Sequence, residues 1–342
     1  MKAYTFLFVI FLACLALIEV YVGQSPQGSL LFNISFWLAL CQGSVALVAA
    51  AELSEGKWIK PLKHHLFGVV PMLFFCSFAF LFMAAQWEIY PIHNKNSFWF
   101  NKTFFLARNF LFLFLSFITA WKYSRQSLME KENKSTWAIL YLFSFVISQS
   151  LLAFDCIMPL EYPWFSTIYG PYFFVEAIYI GIAFAGIYCL VLEKKPSPEN
   201  LPALEKAQYD TGALLFGFSV LWMGFCFFQL IVIWYGNIPE EVSFYTYRLS
   251  NPFYKGVGYA ILAMFFFLPF MILINKKAKK NPYIVATTSC IIFLALFLER
   301  SFILFPVAKI TFVALVLELI VFTLVFATII LTASRSRQSL KN

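Results

Sequence analysis

The sequence has 342 residues, of which 61% are hydrophobic and only 12% are charged, with a formal net charge of +8. Soluble domains carry about 25% charged residues, so this chain cannot cover a water-facing surface, and lipid must be its main solvent. The positive charge does not indicate nucleic-acid binding, because the basic residues lie in short segments between apolar runs.

Ten stretches are long and apolar enough to cross a bilayer, which requires about 20 residues in a helix. The sequence therefore predicts an all-α, polytopic membrane protein, with residues 1–342 forming a single integral membrane domain. The predicted spans are 3–23, 29–51, 66–85, 104–122, 136–157, 171–192, 211–234, 254–275, 283–302 and 309–332. The first span resembles a signal peptide, but no A-x-A-like cleavage site follows it, so we expect an uncleaved helix.

The Lys and Arg residues predict the orientation of these spans. If Met1 is cytoplasmic, the inward segments hold 18 Lys and Arg residues, the outward segments hold six, and Arg108 lies within a span. This bias follows the positive-inside rule and predicts that both termini are cytoplasmic.

Charged side chains within spans are costly and are candidates for function. Glu318 lies near the middle of the last span without an obvious partner, which makes it a candidate proton relay. Arg108 is open to two interpretations, because it either serves a proton or quinol pathway or pairs with Asp155 or Glu176 and holds helices together. The other charged or amide residues of the predicted outer half are Glu19, Asp155, Glu176, Gln229, Glu299 and Arg300.

The sequence gives little support for metal chemistry or for several common enzyme classes. The seven cysteines include no CxxC pair, and no histidine lies in the middle of a span, so iron–sulfur, structural zinc and transmembrane haem sites are not expected. Motifs of ATPases, zinc proteases and serine hydrolases are also missing.

Three segments resemble the membrane subunits of alternative complex III, and the match is closest to the ActF-type quinone-binding subunit of the NrfD-like (polysulfide-reductase) superfamily. They are KNSFWFNKTFFLARNF (95–110), AFDCIMPLEYPWFSTIYGPYFF (153–174) and FFQLIVIWYGNIPEEVSFYTYR (227–248). The resemblance extends from about residue 60 to residue 306. The matching positions are Arg108, Asp155, Trp164, Ser166, Thr167, Tyr169, Gln229, Trp234, Asn237, Glu240 and Glu241.

This resemblance implies two four-helix bundles plus accessory helices, in a multi-pass subunit of the bacterial inner membrane. It implies no covalently bound or metal-ligated cofactor, with menaquinone or menaquinol as the candidate ligand. The implied partners are iron–sulfur and multihaem cytochrome subunits and a second ten-helix membrane subunit. The sequence departs from the family pattern at Cys156, at Pro159 and at Phe265–Phe267, where a His is expected in many members.

We expect the second and third segments to converge over an outer-half cavity that contains Asp155, Glu176 and Gln229. Glu240 and Glu241 are adjacent, so partial burial would leave one of them protonated. The predicted function is a quinol-binding or proton-conducting subunit without a redox centre of its own. A secondary transporter of ions or small solutes and a purely structural anchor for a redox partner are the alternatives.

Overall fold

The computed structural model of the chain describes residues 2–23, 26–92, 97–193 and 201–339. These residues form helices joined by short segments, and the described part of the chain contains no strand, as the sequence predicts. The α-helices are α1 (Lys2–Ile18), α2 (Ser29–Leu53), α3 (Lys60–Leu66), α4 (Val70–Ala79), α5 (Lys102–Leu128), α6 (Lys134–Leu151), α7 (Tyr169–Glu193), α8 (Leu201–Gly236), α9 (Pro239–Ser250), α10 (Pro252–Leu262), α11 (Leu268–Leu273), α12 (Lys276–Lys279), α13 (Pro282–Leu304) and α14 (Phe312–Ser339).

Shorter helical turns extend or connect several of these helices. Turns of 3₁₀-helix cover Lys57–Ile59, Phe67–Val69, Phe80–Ala84, Trp87–Ile89 and Met158–Glu161. Turns of π-helix cover Glu19–Gly23, Leu152–Ile157 and Ala263–Phe267.

Nine helical segments of the described chain are long and apolar enough to span a bilayer. They correspond to the second to tenth predicted spans, so the chain is a multi-pass membrane protein by length and composition. The apolar helix at the start, Phe8–Gly23, is shorter than the other nine. A tenth crossing and cytoplasmic termini therefore stay predictions.

The segment 235–253 lies between the predicted spans 211–234 and 254–275 and is therefore expected to be a loop, but it is mostly helical. Helix α8 continues to Gly236, and α9 begins only three residues later, at Pro239. Proline suits the first turn of a helix, where its missing N–H would have no intrahelical partner. The expectation of a loop is wrong here because α9 carries many polar residues and no long apolar run.

Helix α2 lies at the centre of the molecule and packs mainly against α7. Nearly all of its side chains are buried, which is typical of a helix that is apolar on every face. Gly43 and Gly181 bring the two backbones into contact, because a Cβ on Gly43 would lie 1.7 Å from the carbonyl oxygen of Ala177. Small residues permit such close packing of membrane helices.

Other contacts group the remaining helices around this pair. On one side, α2 packs with α4, α5 and α6, and on the other side α7 packs with α8 and α13, which contacts α10. Helices α1 and α14 pack against each other and against this core.

Pro269 explains the π-helical turn Ala263–Phe267, which lies just before it in the same span. Pro269 has no N–H, so the carbonyl group of Phe265, four residues earlier, loses its usual helical donor. The hydroxyl group of Tyr179 on α7 donates to this carbonyl oxygen at 2.9 Å. A side chain of a neighbouring helix therefore supplies the hydrogen bond that the Phe265 carbonyl group lacks within its own helix.

Candidate functional site

Asp155 lies on the π-helical turn Leu152–Ile157, near the predicted outer end of the molecule. Its Oδ2 atom accepts from Arg108 Nε at 2.8 Å and lies 2.7 Å from Arg108 Nη2. Its Oδ1 atom accepts from the indole of Trp99 at 2.9 Å. The guanidinium also stacks 3.9 Å from the centre of the Trp99 ring. Arg108 therefore pairs with Asp155 and not with Glu176, and this ion pair joins α5 to the π-helical turn that follows α6.

Glu176 forms a second buried ion pair, with Arg300 on α13. Arg300 Nη2 lies 2.5 Å from Glu176 Oε2, and both side chains have zero exposure. Glu299 lies 3.5 Å from Arg300 Nη1 and accepts a hydrogen bond from the Tyr172 hydroxyl. One guanidinium therefore faces two carboxylates, so this cluster carries a negative charge unless one of them binds a proton.

A third ion pair, between Glu161 and Arg248, is not predicted by the sequence analysis. Arg248 Nη1 and Nη2 lie 2.7 and 2.8 Å from the two carboxylate oxygens, and its other N–H groups reach the carbonyl oxygens of Phe244, Phe302 and Ile303. This pair was missed because 235–253 was expected to be a loop. The sequence does contain a signal for the helix α9. It begins Pro-Glu-Glu and has Arg248 in its last turn, and acidic residues at the start with a basic residue at the end complement the helix dipole.

The segments 153–174 and 227–248 meet, as the sequence predicts. Besides the Glu161–Arg248 pair, the indole of Trp164 stacks 4.4 Å from the ring of Phe244. The Ser166 hydroxyl donates to Gln229 Oε1 at 2.6 Å. These contacts fix the outer end of α8 against the start of α7.

A cavity of about 280 Å³ lies below this junction, between α7, α8, α9, α10 and α13. Its walls are largely aromatic and aliphatic, and its polar groups include Gln229, Glu299 and the Tyr172 hydroxyl. It opens on the side of the molecule where Phe227 and Tyr259 are more than half exposed. The lining residues include Tyr169, Tyr172, Trp222, Cys226, Phe227, Gln229, Leu230, Phe244, Tyr245, Lys255, Tyr259, Glu299 and Phe302.

The expected composition of this cavity is therefore partly wrong. Gln229 lines it, but Asp155 and Glu176 do not, and these two form buried ion pairs with Arg108 and Arg300 outside the cavity lining. Glu299 lies in the cavity wall instead. Sequence order alone could not indicate which of these carboxylates an arginine would take.

Several other predicted site residues lie on the surface. Trp234, Asn237, Glu240 and Thr167 are exposed. Asn237 adopts a left-handed conformation (φ 48°) that terminates α8, and its N–H donates to the Ile233 carbonyl. Glu240 and Glu241 lie in the first turn of α9, where the helix dipole favours negative charge. Glu240 is exposed and Glu241 is partly buried, so the partial burial considered for this pair applies to Glu241 alone.

Glu318 has partners, contrary to the expectation from sequence. Its Oε1 atom accepts from the Ser29 hydroxyl at 2.7 Å, and its Oε2 atom accepts from the Asn33 amide at 3.1 Å. The carboxyl group of Glu19 faces it, because the turn Glu19–Gly23 packs against α14. Glu318 comes only six residues after α14 begins at Phe312, about 9 Å along the helix. Glu318 therefore lies closer to the N-terminal end of α14 than to its middle.

Polar side chains also form a column between α2, α5 and α6. In its middle, the Gln42 amide donates to Ser116 and Ser148, each at 2.9 Å, and its carbonyl oxygen accepts from Gln149 at 2.8 Å. The Tyr141 hydroxyl donates to the Gln42 backbone carbonyl at 2.7 Å. The sequence analysis did not recognise this column, because its members are neutral and scattered over three helices.

The column reaches the predicted cytoplasmic end through a charged cluster. Lys63 lies 3.0 Å from Glu52 and 2.7 Å from Glu130, and Tyr123 donates to Glu52 at 2.7 Å. Hydrogen bonds from Lys134 and Lys63 lower the pKa of Glu130, which lies between α5 and α6, to about 2.

Within the described ranges, no group of three or more His, Cys, Asp or Glu residues is arranged to hold a metal ion. His93 and Lys95 lie outside the described residues. No protein-family model matches the sequence, and no curated protein matches it either.

Proposed function

We propose that this multi-pass membrane protein is a subunit of a quinone-linked respiratory oxidoreductase of the alternative complex III type. Its part in the reaction is to bind the quinol ring in the cavity between α7, α8, α10 and α13. The observation that carries the proposal is the combination of an aromatic, membrane-facing cavity with one carboxylate and one amide in its wall.

The shape and chemistry of the cavity suit a quinol head group. A volume of about 280 Å³ is near the lower end for small-molecule sites, which are about 300–1,000 Å³. It accommodates an aromatic ring, while an isoprenoid tail would leave past Phe227 and Tyr259 into lipid. Trp222 and Tyr172 offer aromatic faces for the ring.

Oxidation of a quinol releases two electrons and two protons, so the site needs an acceptor for the hydroxyl protons. The Glu299 carboxylate is the proton acceptor in the cavity wall, and it releases the first proton before it takes up the second. Gln229 Oε1 accepts a hydrogen bond from a ring hydroxyl but does not take up its proton. Tyr172 orients Glu299 through its hydrogen bond, and Arg300 lies behind it. In this proposal the electrons pass to iron–sulfur and haem groups of partner subunits.

Proton conduction is a second candidate function, and the polar column between α2, α5 and α6 favours it. Gln42, Ser116, Ser148 and Gln149 connect by hydrogen bonds in the middle of the bundle, and Lys63 and Glu52 lie at the predicted cytoplasmic end. Between Ser116 and Asn109, near Asp155, the column is interrupted for about 10 Å along α5. It therefore resembles a half-channel that is open to the cytoplasmic side.

Binding of a quinone analogue to the purified protein in lipid nanodiscs tests the cavity. We expect Glu299→Gln and Gln229→Leu to weaken binding at least tenfold, because the first replaces a charged acceptor by a weaker neutral one and the second removes an acceptor from the cavity wall. Glu240→Gln is the matched control, since it removes an exposed acid at the same end of the molecule, and it should bind as the wild type does. Equal affinity in all four proteins would contradict a quinol site in this cavity.

Affinity purification from the native membrane tests the assembly separately. Co-purification of haem-containing and iron–sulfur subunits supports the respiratory complex. Co-purification together with unchanged quinone binding in both cavity variants would indicate a structural anchor. Recovery of the chain alone, with solute or ion flux in proteoliposomes, would indicate a transporter.

A further inference from the structure

Two buried carboxyl groups, from Glu19 and Glu318, face each other between the first and last helices. Glu19 begins the π-helical turn after α1, and this turn packs against α14, which carries Glu318. Both residues are at most 3% exposed. Their carboxyl groups face each other, and Glu19 Oε1 is buried without a hydrogen-bond donor among the described residues. This contact is remote from the cavity, whose lining contains neither residue.

The groups that surround the pair are neutral. Ser29 and Asn33 of α2 donate to Glu318, and the Gln86 amide donates to Glu19. No ion pair in the described ranges involves either carboxylate. Lys309 contributes its backbone carbonyl, which accepts from Gly28, while its side chain is exposed.

Two carboxylates in contact without a cation repel each other strongly in a buried site. The repulsion is strong because the effective dielectric constant of a buried site is much lower than that of water. A proton between them removes this repulsion and turns the contact into an O–H···O⁻ hydrogen bond, which is among the stronger hydrogen bonds in proteins.

A second observation points to an occupant beside the pair. The Nε2 atom of Gln27 is fully buried and has no hydrogen-bond partner among the residues that the structure describes. It faces the same space as the pair, because a Cβ on Gly23 would lie 2.4 Å from it and 3.5 Å from Glu19 Oε2. An amide N–H of this kind requires an acceptor, and a water molecule between Gln27 and the carboxylate would supply one.

We propose that Glu19 and Glu318 form a proton-binding site, in which one exchangeable proton is shared between the two carboxyl groups and a water molecule bridges to Gln27. Proton binding converts two carboxylates into one carboxylic acid hydrogen-bonded to one carboxylate, and no other co-reactant is required. The site joins α1 to α14, so the proton also holds the first helix to the rest of the bundle. It is independent of the quinol cavity.

Infrared spectroscopy of the purified chain in nanodiscs at neutral pH tests this site. We expect the wild-type spectrum to contain one deuterium-sensitive carboxylic C=O band that is missing in both Glu19→Gln and Glu318→Gln. Glutamine has nearly the same shape as protonated glutamic acid, so both variants should fold. Glu88→Gln, which changes an exposed acid near Gln86, is the matched control and should retain the band.

Two outcomes would overturn the proposal. If neither single variant loses a carboxylic band, no proton is shared at this site. If the wild type is stabilised against heat by Na⁺ or K⁺, and both variants lose this effect, a monovalent cation and not a proton neutralises the pair.

Discussion

The Glu176–Arg300 ion pair allows a direct test of what holds α7 to α13. Replacement of Glu176 by Gln keeps the shape of the side chain and removes its charge. Both side chains are completely buried, and the closest nitrogen and oxygen atoms are 2.5 Å apart. The variant therefore leaves a buried guanidinium group without its main counter-charge.

The expected magnitude follows from this geometry. Opposite charges whose centres are about 4 Å apart attract by roughly 4 kcal/mol at an effective dielectric constant of about 20. Removal of one partner of a buried pair typically destabilises a protein by about 3–5 kcal/mol. Glu299, at 3.5 Å from Arg300, retains part of the compensation, so we expect a loss near the lower end of this range, about 3 kcal/mol.

Reversible unfolding of the purified protein, followed by circular dichroism, measures this loss. The control is Glu130→Gln, which removes a carboxylate that is 54% exposed and should cost less than about 1 kcal/mol. A triple variant, Glu176→Gln with Glu299→Gln and Arg300→Met, should recover part of the stability because no charge of this buried cluster is left. A loss in Glu176→Gln no larger than that of the control would refute the reasoning.

Three further predictions concern packing, a backbone break and pH. Gly43→Ala should destabilise the protein by about 1–3 kcal/mol in the same unfolding assay, because its Cβ would meet the Ala177 carbonyl oxygen, and a neutral result would contradict the close contact of α2 and α7. Tyr179→Phe should cost about 1 kcal/mol or more, since the Phe265 carbonyl loses its donor, and unchanged stability would show that water replaces the hydroxyl. The pKa of Glu130 is lowered from 4.5 to about 2, so its contribution to stability is present above about pH 4.5 and lost as pH falls through about 2. Unfolding of the wild type and Glu130→Gln should therefore differ at neutral pH and converge in acid, and a difference that grows in acid would contradict this assignment.

The sequence predicted that two segments of the candidate site meet, because each segment can be recognised by its residues alone. The segments around Trp164 and Gln229 each combine aromatic, polar and turn residues at the end of a span, and they meet in the structure. The partners of the carboxylates could not be predicted in the same way. Arg108 and Arg300 lie on different helices, and only the packing of those helices assigns Asp155 to one and Glu176 to the other.

The contact between Glu19 and Glu318 shows the same limit more sharply. The two residues are almost three hundred positions apart, and each looks isolated within its own apolar stretch. A pattern within one segment indicates burial, but it does not indicate which remote segment packs against it. The approach of α1 to α14 therefore determines whether Glu318 is a lone acid or half of a pair.

The sequence by itself determined that the chain is helical and embedded in lipid, because bilayer thickness and unpaired backbone groups leave few alternatives to long apolar helices. The shortage of charged residues and the spacing of the apolar runs are sufficient for that conclusion. Only the tertiary structure decided which polar groups neutralise one another, where the cavity opens and which carboxyl groups share a site. These properties depend on contacts between helices, and in this chain close backbone packing at Gly43 and Gly181 sets how the two central helices meet.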